Sequence, residues 1–143
     1  MHFNTRHEVI GKQMINMDAI MAKFITDMTS FPNTLTPTLS DHGHTRTPFS
    51  YTEEKRRELF DPLFFMTIPD GVKDKLGARR TSALITYQKR LFMLYDVHKA
   101  FMSFERSSEM NSNDYTVTGI FSEIPVNRTC ADLHMRICYW VHK

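Results

Sequence analysis

The sequence predicts an α+β protein in which two long helices pack on a small antiparallel sheet, with an all-α bundle as the alternative. Three patterns predict it: a narrow apolar stripe near the N-terminus, a long two-sided apolar segment in the middle, and strict alternation near the end. The chain has 143 residues, 41% of them hydrophobic, which is enough for a core without a metal or disulfide. We therefore expect one domain over residues 1–143.

The first helix is predicted over residues 5–29. Thr5 and Glu8 have the spacing of a capping box, which marks a helix start. A narrow stripe follows, formed by Ile10, Met14, Met17, Met21, Phe24 and Met28. Its width is typical of a coiled-coil seam, although three heptads are a short run and packing inside one subunit is favoured. Met14 and Met21 are the candidate partner-binding residues of this helix.

The segment after this helix carries turn-forming residues. Residues 30–50 contain three prolines and several threonines without periodicity, so we expect a long loop within the domain. A short charged helix is predicted over 52–61. Residues 63–68 fit either a buried strand or more helix, and the Pro-Asp-Gly sequence at 69–71 predicts a turn.

A second long helix is predicted over residues 78–107. One face carries Leu84, Tyr87, Leu91, Tyr95, His98 and Met102, and the other carries Met93, Val97, Ala100 and Phe104. A helix that is apolar on two sides is central to its fold or contacts a partner. Met93, Val97 and Phe104 are therefore candidate partner-binding residues.

The C-terminal part of the chain predicts a β-hairpin. Residues 115–124 are rich in β-branched and aromatic residues, and residues 132–142 alternate strictly between apolar and polar. Both stretches are interpreted as strands. A helix over 129–142 is the competing interpretation, because Leu133, Ile137 and Val141 recur every four residues.

Histidines and cysteines raise the hypothesis of a metal site. The candidates are Cys130, His134, Cys138 and His142, together with Asp41, His42 and His44 in the long loop. His134 and Cys138 could share a zinc ion on a helix, whereas on a strand they lie too far apart. Since the strand is favoured, we expect no metal, no other cofactor and no catalytic residue, and a small metal-dependent hydrolase remains the second alternative.

Positive charge is concentrated in the second half of the chain. The stretch from Lys73 to Arg106 holds eight basic and three acidic side chains, although the whole chain has a net charge of only +2. Nucleic-acid binding is therefore an alternative function. Its candidate residues are Arg79, Lys89, Arg90, Arg136 and Trp140.

Cysteine content and hydropathy predict a cytoplasmic protein without a membrane segment. Two cysteines are too few for a disulfide scaffold, and we identify neither a signal sequence nor a run of eighteen apolar residues. In that compartment the sequon Asn127-Arg128-Thr129 would occur by chance. The predicted function is a non-enzymatic interaction protein, a homodimer that binds and modulates a larger macromolecular partner.

Overall fold

The computed structural model describes residues 12–42, 52–54, 62–106 and 108–133. The chain divides into two compact units, Met1–Val72 and Lys73–Lys143. Helices together with a small antiparallel sheet make the protein α+β, as predicted.

In its described residues the first unit contains a long helix and a two-stranded sheet. Helix α1 spans Lys12–Thr29, strand β1 spans Thr36–Leu39 and strand β2 spans Phe64–Thr67. The strands pair antiparallel, with Thr36 opposite Thr67 and Leu39 opposite Phe64. Helix α1 packs against β2. The predicted helix is confirmed over residues 12–29, while residues 5–11 lie outside the described part of the chain.

A loop was predicted over residues 30–50, but residues 36–39 of this segment form strand β1. For residues 63–68 the strand alternative is confirmed, because β2 lies within them. The prolines of this segment, Pro37 among them, argued against a strand at 36–39, because proline lacks the N–H that a strand interior requires. A two-stranded sheet consists only of edge strands, where proline is tolerated. Residues 43–50 and most of the predicted helix 52–61 lie outside the described residues.

The remaining elements of the described chain are helices. Helix α2 spans Asp70–Leu76, α3 spans Ala78–Thr86, α4 spans Leu94–Glu105 and α5 spans Tyr115–Thr118, followed by a 3₁₀ turn over Gly119–Phe121. Helix α4 packs on α5 and on the 3₁₀ turn, which also contacts α3. The buried apolar residues of this second unit are Leu76, Ala83, Val97, Ala100, Ile120, Phe121, Ile124 and Leu133.

The predicted continuous helix over residues 78–107 is wrong, because the chain breaks between α3 and α4. Helix α3 ends where the amide of Tyr87 donates to the Ala83 carbonyl, 3.0 Å away. Helix α4 begins after Met93, where the carboxylate of Asp96 accepts a 3.0 Å hydrogen bond from the amide of Met93. This carboxylate satisfies an N–H group that would otherwise lack a partner at the helix start.

The predicted strand over residues 115–124 is also wrong. Asp114 caps α5 by accepting a 2.8 Å hydrogen bond from the amide of Thr116, and this bond lowers the pKa of the Asp114 carboxyl. Asp114 caps the start of α5, and Gly119, with φ +53°, ends the helix five residues later. Helix α5 is therefore a single turn long. Cys130–Leu133 form turns, and the hairpin and helix alternatives over 134–142 lie outside the described residues.

Gly119 allows α4 and the 3₁₀ turn to approach each other. It adopts φ +53°, and a side-chain Cβ at this position would overlap the backbone carbonyl of Asp96. Gly77 also has a positive φ, +80°, but a Cβ there would meet no atom within 4 Å. The two glycines therefore share a positive φ and differ in ψ, which is 159° at Gly77 and −125° at Gly119, and in the space around them.

Substitution of these glycines by alanine should separate backbone strain from steric overlap. We expect G77A to reduce the free energy of unfolding by about 1–3 kcal/mol, the order of the penalty for a non-glycine residue in a sparsely populated backbone conformation. G119A adds overlap with a packed backbone, so we expect a loss of about 2–5 kcal/mol. Urea denaturation followed by circular dichroism measures both, and equal losses would contradict this account of Gly119.

Candidate functional site

The apolar stripe of α1 is only partly covered. Met17, Met21, Phe24 and Met28 lie on one side of the helix, and each is half-buried. The remaining described positions of the helix are exposed, except for the half-buried Ile25 beside the stripe. The stripe therefore faces the sheet without complete burial, and the side chain of Met14 lies outside the described part of the chain.

Helix α4 has a buried face and an exposed apolar face. Val97 and Ala100 are buried, whereas Leu94 is 44% and Tyr95 58% exposed. The Tyr95 and His98 rings stack with centroids 5.9 Å apart. Leu94, Tyr95 and His98, which are exposed near the start of α4, form an apolar and aromatic surface that we call the outer face of α4.

The sequence-predicted partner residues lie mostly away from this outer face. Val97 belongs to the core of its own unit, and Met93 is half-buried at the start of α4. Phe104 is 40% exposed, and its ring packs on that of Phe121 in a T-shaped arrangement with the ring centres 5.2 Å apart. Helical periodicity identified both faces of this segment, but it could not tell which one the 3₁₀ turn would cover.

A buried ion pair fixes the start of α4. Asp96 accepts two hydrogen bonds from Arg128, at 2.8 and 3.0 Å, and both side chains are at least 95% buried. Arg128 also donates to the Leu91 carbonyl at 3.2 Å, and its guanidinium lies 5.1 Å from the centre of the Tyr115 ring. The pair therefore holds the outer face of α4 in place from the opposite side of the helix.

The basic side chains do not form one helical surface. Arg79 and Lys89 are exposed, and Arg79 donates to the Ser112 carbonyl at 3.1 Å. Arg90 lies in the turn after α3, with its guanidinium 5.8 Å from the Tyr87 ring centre. The break between α3 and α4 thus separates Arg79 from the other two, while Arg136 and Trp140 lie outside the described residues.

Arg80 is a basic residue that the fold uses internally. It is 3% exposed, and its guanidinium lies 5.7 Å from the centre of the Phe121 ring. Burial, and secondarily the charge of Arg79, lowers the pKa of Arg80 from its ordinary value. Arg80 therefore packs against the core and is not part of a basic surface.

Asp41 and His42 lie two and three residues after the end of β1. The amide of His42 donates to Oδ1 of Asp41 at 3.0 Å, and its Nε2 lies 3.6 Å from Oδ2. Within the described ranges no group of three or more His, Cys, Asp or Glu side chains could hold a metal ion. His44, the third member of this sequence cluster, lies outside those ranges.

Cys130 forms a disulfide, which removes it from the candidate thiolate ligands. The two cysteines predicted no disulfide scaffold, and a single disulfide at Cys130 is compatible with that expectation. A search of the described residues finds no helix with the length and apolar character needed to cross a membrane.

The chain matches the model of a known protein family. Residues 2–139 match the family described as "Protein of unknown function (DUF229)", and because the match covers nearly the whole chain, the chain belongs to this family. Comparison with curated proteins gives no match, and comparison with solved structures gives none either.

Proposed function

We propose that this chain is a protein–protein interaction module that pairs with a second copy through α1 and binds a larger protein through the outer face of α4. The incomplete burial of the α1 stripe carries the proposal. Met17, Met21, Phe24 and Met28 share one side of the helix and are each half-buried. Methionine side chains are flexible and adapt to irregular apolar partners.

A second copy fits the α1 stripe better than an unrelated surface does. Eighteen residues give a helix of about 27 Å, and a narrow stripe with this spacing is typical of two helices that pack along their length. The other side of α1 is exposed and mixed in character: Lys23 and Asp27 form an ion pair there at 2.7 Å, beside the exposed Ile15 and Ile20. The sheet covers part of the apolar stripe, and the part of each side chain that it leaves exposed is available for pairing with a second copy.

The outer face of α4 suits a partner of different chemistry. Leu94 and Tyr95 are exposed, and the ammonium group of Lys99 lies 4.9 Å from the Tyr95 ring centre. Exposed aromatic side chains are typical of interface centres, and cations beside them favour a partner with acidic residues around an apolar patch. We infer that the larger partner offers such a surface.

Light scattering tests the self-association. At micromolar concentration we expect about twice the chain mass for the natural chain and the mass of one chain for M21E, because the glutamate would be desolvated in the helix pair. A22E is the matched control, since it places the same charge on the exposed side of α1 and should leave the dimer intact. A single-chain mass for the natural protein, with α1 still helical, would contradict the proposal.

The Asp41–His42 pair supports a second candidate function, a metal-dependent hydrolase. A carboxylate and an imidazole 3.6 Å apart are two of the ligand types that zinc accepts, and His44 follows in the sequence. A divalent ion held there would lower the pKa of a bound water and supply a hydroxide for hydrolysis. In this second candidate Asp41, His42 and His44 would be the protein ligands.

Metal analysis discriminates between the two functions. If the hydrolase candidate is correct, we expect the purified full chain to bind about one zinc per chain, and D41A and H44A each to lose it. D27A is the control, since it removes an exposed aspartate from α1 and should retain the metal. Zinc content that is negligible in the natural chain, or unchanged in D41A and H44A, would contradict the hydrolase candidate and leave the interaction module.

Cellular location is part of this proposal. The cysteine count predicts the cytoplasm, but a disulfide at Cys130 persists more readily where the environment is oxidising, such as the secretory pathway or the cell exterior. We infer that the interaction takes place in such a compartment.

A further inference from the structure

We propose that Asn127 is a site of N-linked glycosylation. The segment Asn127-Arg128-Thr129 has the acceptor sequence Asn-X-Thr with a residue other than proline in the middle. Asn127 is exposed in a turn that follows Pro125. Acceptor sites of this kind lie on surface loops of secreted proteins.

The three residues of the acceptor sequence have different structural roles. Arg128 is 5% exposed and bonds to Asp96, and Thr129 donates from its amide and its hydroxyl to Oδ2 of Asp132, at 2.7 and 2.8 Å. The two residues after Asn127 are therefore anchored to the protein. A glycan on Asn127 would extend into solvent without displacing either anchor.

Neighbouring residues supply independent support. Cys130, three residues after Asn127, is disulfide-bonded, and disulfides form in the same oxidising compartments in which N-glycans are attached. Val126, immediately before the acceptor, is 75% exposed, so a polar glycan beside it would shield an apolar side chain from contacts with other molecules. The sequon therefore has the location and the chemical surroundings of a used site, contrary to the chance occurrence expected from the sequence.

Translation of the full chain behind a cleavable secretory signal, in the presence of microsomes, tests the proposal. We expect the protease-protected chain to migrate more slowly until an N-glycan-specific amidase is added. Mass spectrometry should then find aspartate in place of Asn127, the product of glycan release at that residue. The shift should disappear in N127Q and in T129A, which remove the acceptor and the required hydroxyl.

Two matched variants exclude an indirect effect of the substitutions. T129S keeps the acceptor sequence and a hydroxyl for Asp132, and N113Q removes an exposed asparagine outside any acceptor sequence. Both should retain the amidase-sensitive shift. A natural chain that is protected inside the microsomes and shows no amidase-sensitive shift would overturn the proposal, as would a shift that persists in N127Q.

Discussion

The ion pair between Asp96 and Arg128 is the interaction on which the second unit depends. Thirty-two positions separate the two residues in the sequence, and two hydrogen bonds of 2.8 and 3.0 Å join their side chains in the interior. The same carboxylate accepts from the amide of Met93, so one aspartate both starts α4 and holds the segment after the 3₁₀ turn. An isolated charge in such a place would be strongly destabilising, which makes each partner a requirement for the other.

This constraint also explains the neighbouring backbone. The carbonyl of Asp96 lies against Gly119, and a Cβ there would overlap it. The first residue of the 3₁₀ turn must therefore be glycine. The turn then places Ile120 and Phe121 in the core beneath α4. Because this side of α4 is covered, Leu94 and Tyr95 are left on the exposed side, where the proposed partner binds.

The spacing of apolar residues predicted the helices and strands whose structure depends on nearby residues. The apolar spacing in α1 predicted its helix and its less exposed side, and the apolar run before Pro69 predicted a strand as one of two alternatives. Apolar spacing did not predict the break between α3 and α4, because the spacing continues through it. The sign of the break is Asp96, whose side chain caps the N-terminus of α4. Asp114 is a comparable signal, and its cap outweighed the β-propensity of the residues that follow.

The features that bear on function depend on contacts across the sequence. No single-sequence pattern pairs Asp96 with Arg128, and helical periodicity does not say whether Val97 or Tyr95 faces the core. The two cysteines did not predict a disulfide, whereas Cys130 forms one, a bond that depends on the distance between two side chains in the fold. Sequence patterns thus provided the candidate residues, and long-range packing determined which of them lie on the surface.

A double-mutant cycle between Asp96 and Arg128 tests the central claim most directly. The free energy of unfolding of the full chain would be measured by urea denaturation for D96A, R128A and the double variant. We expect each single substitution to cost about 3–5 kcal/mol, because it leaves one buried charge without its partner. The double variant should lose less than the sum of the two by about 2 kcal/mol or more. Additive losses would show that the two side chains stabilise the fold independently and would contradict the account.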